Sequence, residues 1–135
     1  VSQSTNERDV LARTLWAEAR GEGRHGMQAV ANVIMRRVAF PRWWGRDVIG
    51  VCQAPWQFSS WNPDDVNRAK LLAVTESDPQ FRVALELAEL ALAGELNDLT
   101  NSADHFHTHA VSPAWSVGVE PVAVLGNHRF FRLST

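Results

Sequence analysis

The sequence has one cysteine, Cys52, and no tyrosine. A lone cysteine cannot form an internal disulfide, so a disulfide-stapled scaffold is excluded and the redox compartment stays open. No apolar run approaches the length of a membrane span, so no membrane insertion is expected. Neither charge sign dominates: 13 Lys and Arg stand against 15 Asp and Glu, for a net charge of -2. That balance gives no electrostatic case for nucleic acid as the main partner. There is no internal repeat, low-complexity tract or linker, and the polar opening from Ser2 to Asp9 does not read as a signal peptide.

What is present fits one globular domain spanning residues 1–135. Hydrophobic residues make up 45% and charged residues 21% of the chain, an ordinary globular balance. A chain of this length buries roughly two-thirds of the surface its unfolded form exposes. The six tryptophans are the unusual component. Tryptophan stacks well on sugar rings, but it is also a core residue, and about half of the six are expected inside.

The hydrophobic periods read as a mainly helical chain. Ser4 with Glu7 forms a capping-box pattern that opens a first helix, running from Glu7 to Arg20. Gly21-Glu22-Gly23 breaks it. Met27, Val30, Ala31, Ile34 and Val38 then recur at helical spacing, with Arg36 and Arg37 suited to the closing dipole and Pro41 at the exit. From Phe40 to Asn62 the period is lost, which predicts loops with short strand pieces around Trp56 to Ser60. Asp64 or Asp65 should cap a third helix toward Val74. Asp78-Pro79 should open a fourth, which ends at Gly94. The alternation in His105-Phe106-His107-Thr108-His109 and the segment from His128 to Leu133 predict strands. The fold class is therefore α+β, helical with a small strand and loop lobe.

One carboxylate stands out. Glu18 follows Leu11, Thr14 and Leu15 at +7, +4 and +3, so it lies on the apolar stripe of the first helix. It also sits in the last turn, where the negative end of the helix dipole disfavours a second negative charge. Desolvation and the dipole both raise its pKa, as a general acid near neutral pH requires. The competing reading is a glutamate that curls to solvent at a fraying helix end. Glu22 lies near the start of the second helix, where the dipole favours the anion. It is either the partner of opposite polarity in an acid/base pair or a corner carboxylate paired with Arg20 or Arg24.

Other segments suggest binding. Gln57-Phe58-Ser59-Ser60-Trp61 mixes amide, hydroxyl and ring, the chemistry of a sugar-binding wall or of a tight packed turn. His105, His107 and His109 share one face if they form a strand, a spacing that also suits metal ligands. No HExxH helix sharpens that reading, and polar groups lining a cleft are the simpler account. No nucleophile-elbow pattern supports a serine hydrolase.

Several segments, in order along nearly the whole chain, resemble the cell-wall hydrolase family of the spore-cortex-lytic enzyme SleB and its relative CwlJ. They are Leu11-Ala-Arg-Thr-Leu-Trp-Ala-Glu-Ala-Arg-Gly-Glu22, Gly26-Met-Gln-Ala-Val-Ala-Asn-Val-Ile34, Gln57-Phe-Ser-Ser-Trp61, Ala103-Asp-His-Phe-His107, Pro113-Ala-Trp115 and Gly126-Asn-His-Arg-Phe-Phe-Arg132. The resemblance implies a lysozyme-like or lytic-transglycosylase-like α+β fold and cleavage of peptidoglycan glycan strands at the bacterial cell wall. The setting would be periplasmic or extracellular, or the periplasm during phage-type lysis. It also implies that Glu18 is the catalytic acid. Glu22, Gln57, Phe58, Ser59, Trp61, His105, Phe106, His107 and Trp115 become the substrate-binding candidates. The chain departs from the family at Arg36, where Asn is frequent, at Ser60 in place of Cys, and at Phe106 and Phe131 in place of tyrosines. Any phenol hydrogen bond to substrate is lost, which leaves His105 or His107 to serve.

Hydrolysis of a glycoside normally needs two carboxylates. Only Glu18 has a persuasive position; Asp64 and Asp65 read as caps, and Asp104 is weaker. A lytic transglycosylase manages with one, and this is the preferred expectation, with hydrolysis second. The chain is expected to be a monomer that needs no cofactor and no metal. The rivals are a zinc amidase or peptidase built on the histidine strand and a non-catalytic peptidoglycan-binding module.

Overall fold

The computed structural model describes residues 3–55 and 57–134, with side chains from residue 6 onward. Two long helices, α1 (Gln3–Ala19) and α2 (Gly23–Ala39), meet at a single 3-10 turn, Arg20–Glu22. Three further helices follow: α3 (Val48–Cys52), α4 (Arg68–Ala73) and α5 (Pro79–Leu92). The chain then forms β1 (His105–Thr108), β2 (Ala123–Leu125) and β3 (His128–Phe131). The result is an α+β fold, helical with one small sheet. Among the described residues no helix is long and apolar enough to cross a membrane.

The main core lies where α1, α2, α3 and α5 converge on Leu11, Leu15, Met27, Val30, Ile34, Val51 and Leu87, all fully buried. A second, smaller core joins Ala29 and Val33 of α2 to Ala103 and Phe130 of the sheet lobe. The α2 helix thus has two apolar faces, which is why every residue from Gly26 to Ile34 except Gln28 is buried. It is the plank between the helical body and the sheet.

Polar links finish the helix ends. Asp78 Oδ1 accepts from the backbone N–H of Gln80 and Phe81 at 2.8 and 3.1 Å, with Pro79 at the first helical position. Those bonds satisfy amides that no preceding turn can reach. At the end of α4, Arg13 Nη1 donates to the carbonyls of Leu71 and Val74 at 2.6 and 3.0 Å. A cation on orphan C-terminal carbonyls is favourable on both hydrogen-bonding and dipole grounds, and it fastens this short helix to α1.

The sheet runs in the order β1-β3-β2, antiparallel throughout. Phe106 pairs with Phe130 and His107 with Arg129 across β1 and β3. The central strand carries the buried residues, while β1 forms one edge.

The structure departs from the sequence expectation at four places. The first helix begins by Gln3, so Ser4 lies inside it; the Ser4 side chain and its capping box lie outside the described residues. The helix expected at Asp64 or Asp65 starts only at Arg68, because Asp65 Oδ1 accepts from Asn67 N at 2.8 Å and closes a turn instead. Between Phe40 and Asn62 there is no named strand among the described residues. Asp47 caps α3 there through Gly50 N, and Ser59–Trp61 is one 3-10 turn; Trp56 lies outside the described residues. β2 is an addition, three residues long. Among the described tryptophans, Trp16 and Trp44 are buried, Trp61 and Trp115 partly so, and Trp43 is exposed.

Candidate active site

Glu18 is partly buried one residue before the end of α1. Its pKa is raised from 4.5 to about 7, first by burial and then by the negative charge of Asp65. A carboxyl group in that state keeps its proton near neutrality and can donate it. Cys52 of α3 lies close by, its thiol pushed up to about 12 by burial, with the Glu18 charge adding to the rise and a Thr14 hydrogen bond opposing it. An un-ionised thiol behaves as a small apolar wall, so Glu18 is shielded from that side.

Glu18 opens into a cleft of about 420 Å³. One wall comes from Gln57, Phe58 and Ser59 in the loop ahead of the 3-10 turn and at its start. The other comes from all four residues of β1, with Val111 and Trp115 at the rim. A second chamber of about 350 Å³ shares Gln57, His105 and Trp115 with the first and continues past Arg42, Trp43 and Trp44. The two chambers adjoin at these shared residues, the first mainly polar and the second mainly apolar, and both are edged with aromatic rings, a lining that suits a saccharide.

Arg37 sits at the base of this groove, buried, with Nε donating to the Asp104 carbonyl at 2.7 Å and Nη1 to Gln57 Oε1 at 3.2 Å. Burial lowers its pKa to about 10, against the opposing pull of Asp104. It remains a cation at neutral pH, with the rings of Trp44, Trp43 and Phe58 within 5.1 to 6.0 Å of the guanidinium carbon. Desolvated guanidinium over aromatic faces is favourable.

Asp104 is fully buried. Burial alone would raise its pKa, yet hydrogen bonds from Leu133, Ser134 and His105 hold it at about 2. With both oxygens occupied in this way, Asp104 has no free face toward a water, and its expected candidacy as a second catalytic carboxylate gives way to a structural one.

Seven of the residues singled out in the sequence gather around Glu18: Gln57, Phe58, Ser59, His105, Phe106, His107 and Trp115. Two others stand apart. Glu22 lies on the corner between the long helices, with its carboxylate against Gly126 in the β2–β3 turn and its charge acting on His128. It pairs with neither nearby arginine: Arg24 bonds Glu86 at 3.0 Å, while Arg20 covers the Trp16 ring. Trp61 turns the other way, its Nε1 donating to Thr14 Oγ1 at 2.9 Å and its ring lining a separate cavity with Asp64 and Arg68. His109 follows the end of β1 and is exposed. Among the described residues no three His, Cys, Asp or Glu side chains gather in an arrangement able to hold a metal ion.

Arg37, expected from the sequence only to suit the closing dipole of its helix, lines the cleft instead. The signal was present: Arg37 lies at +3 from Ile34 and +7 from Val30, a charge on an apolar stripe like Glu18.

An α+β domain with a shielded acid in an aromatic-edged groove has the make-up of a glycan-cleaving enzyme. The chain belongs to the cell wall hydrolase family, whose pattern it matches over residues 21–131. Glu18 lies just ahead of the matched stretch. Among solved structures, the chain is similar to the catalytic domain of the germination-specific lytic transglycosylase SleB from Bacillus anthracis. The identity is 26% with a TM-score of 0.71, covering 98% of this chain and 97% of that one. The catalytic domain of SleB from Bacillus cereus shares the fold at 23% identity and a TM-score of 0.69, covering 95% and 91%. No curated protein sequence matches significantly.

Proposed function

We propose that this chain is a peptidoglycan lytic transglycosylase that cuts the glycan strand between MurNAc and GlcNAc with Glu18 as its single acid and base. Glu18, as a carboxylic acid, gives its proton to the glycosidic oxygen while the bond from that oxygen to the muramic C1 breaks. The departing sugar leaves with a hydroxyl. Glu18, now a carboxylate, takes the proton from the muramic C6 hydroxyl as that oxygen bonds to C1. The sugar closes as a 1,6-anhydro ring, Glu18 is again protonated, and no water is consumed. The work is done by the enzyme alone on a glycan, as a monomer without cofactor, at the cell wall from the periplasmic or extracellular side.

The observation that carries this reading is the raised pKa of Glu18 inside a groove whose described lining holds no other carboxylate. The SleB catalytic domain from Bacillus anthracis, a lytic transglycosylase, supports it by similarity over almost its whole length. Digestion of purified peptidoglycan followed by mass spectrometry tests it. The new muramic ends should be anhydro forms, lighter by one water than reducing ends. Mostly reducing muramic ends would overturn the transglycosylase reading and favour hydrolysis. Asp65, whose charge acts on Glu18, would then be the carboxylate to activate water. Reducing GlcNAc ends would show that the other glycosidic bond is cut.

A further inference from the structure

We propose that His105 recognises a hydrogen-bond donor of the bound saccharide, a hydroxyl or an acetamido N–H, through an unprotonated Nε2, and that Asp104 is the positioning residue that fixes this state. The proposal rests on the groove being the glycan site and adds the polarity of one contact in it.

Hydrogen-bond accounting fixes the proton on His105. Asp104 Oδ1 takes the backbone N–H of Leu133 at 2.9 Å and lies 2.8 Å from His105 Nδ1. Asp104 Oδ2 takes the backbone N–H of Ser134 at 3.0 Å and the Ser134 hydroxyl. Both oxygens therefore act as acceptors, and because these hydrogen bonds hold the Asp104 pKa at about 2, the buried group is a carboxylate at neutral pH. A carboxylate has no proton to give His105, so Nδ1 must carry one. When the imidazole is neutral, its other nitrogen is a bare acceptor.

The surroundings keep the ring neutral and aimed. Burial opposes the imidazolium first; the Asp104 carboxylate favours it, and the Arg37 cation opposes it. Trp115, Trp44 and Trp43 pack around the ring with centroids 4.9, 5.9 and 6.3 Å away. Among the described residues Nε2 has no hydrogen-bond partner, and it is not enclosed as a buried orphan. It therefore keeps solvent access, on a residue that lines both chambers. A sugar oxygen without a hydrogen, or a carboxylate, would meet a lone pair there and be rejected.

Two measurements test this. The first is 15N NMR of histidine-labelled enzyme at pH 7, in which His105 should show the Nδ1–H tautomer. Asp104→Asn should disturb that pattern, because an amide cannot accept from all four donors. The second is binding of a peptidoglycan glycan tetrasaccharide in the Glu18→Gln background, where turnover does not interfere. Adding His105→Phe should weaken binding about tenfold, as expected for one hydrogen bond. Adding His105→Gln instead, which keeps an acceptor, should recover most of the loss. Unchanged affinity in a folded His105→Phe protein, or an Nε2–H tautomer or imidazolium in the wild type, would overturn the proposal. Failure of the Glu18 reading would show separately, as turnover by Glu18→Gln, and would leave the binding comparison intact.

Discussion

Glu18→Gln keeps the shape of the side chain and loses its proton. Glycan cleavage should fall by at least about a hundredfold, the low end of what general acid–base catalysis contributes. Activity within tenfold of wild type at an unchanged melting temperature would sink the assignment. The wild-type rate should decline as pH rises through about 7, where Glu18 loses its proton. Stability should follow the same group. The folded state holds this proton more tightly than the unfolded chain, so ΔG of unfolding should fall between pH 4.5 and about 7 and then level. The drop is up to roughly 3 kcal/mol at about 1.4 kcal/mol per pKa unit. Glu18→Gln should remove that slope, and urea unfolding across this pH range would reveal it. The position of Glu18 was legible because a helical period of one residue type exposes any exception to it. The partners of Asp104 were not legible, because Leu133 and Ser134 reach it only through the closing segment of the chain, 29 and 30 residues away.

At the scale of elements, the long helices and the Asp78 cap were readable because they repeat a pattern over several turns. α3 and β2 were not, being five and three residues long, too short for any period to register. The direction faced by Trp61 was likewise hidden, since one turn of 3-10 helix sends neighbouring side chains to different sides of the molecule. The turn between β2 and β3 offers a test of the sheet lobe. Gly126 has φ of 55°, a conformation that costs an L-residue roughly 1–2 kcal/mol. Gly126→Ala should lose about that much in urea unfolding, and a Cβ there would also press on the Glu22 carboxylate. Glu22→Ala in the same chain should recover little, because the strain is in the backbone and Glu22 can swing aside. A full rescue would show that the clash, not φ, sets the cost.

For the whole molecule, activity on peptidoglycan should survive EDTA, since proton transfer by Glu18 needs no metal. Loss of turnover with EDTA and its return with zinc would move the chemistry to the histidines of β1. The fold class and the family were readable from segments scattered over almost the entire sequence. The path of the groove was not, because its walls come from α1, the Gln57 loop and β1, and only the packing of α2 between the two cores brings these together.

The placement of Arg37 has a mechanical meaning. Its guanidinium holds the carbonyl of Asp104 next to β1 on one side and the amide of Gln57 on the other, so a single planar group spans both banks of the groove from below. The two walls are thereby joined through one buried cation, so a change at Arg37 would be felt on both sides of the groove at once.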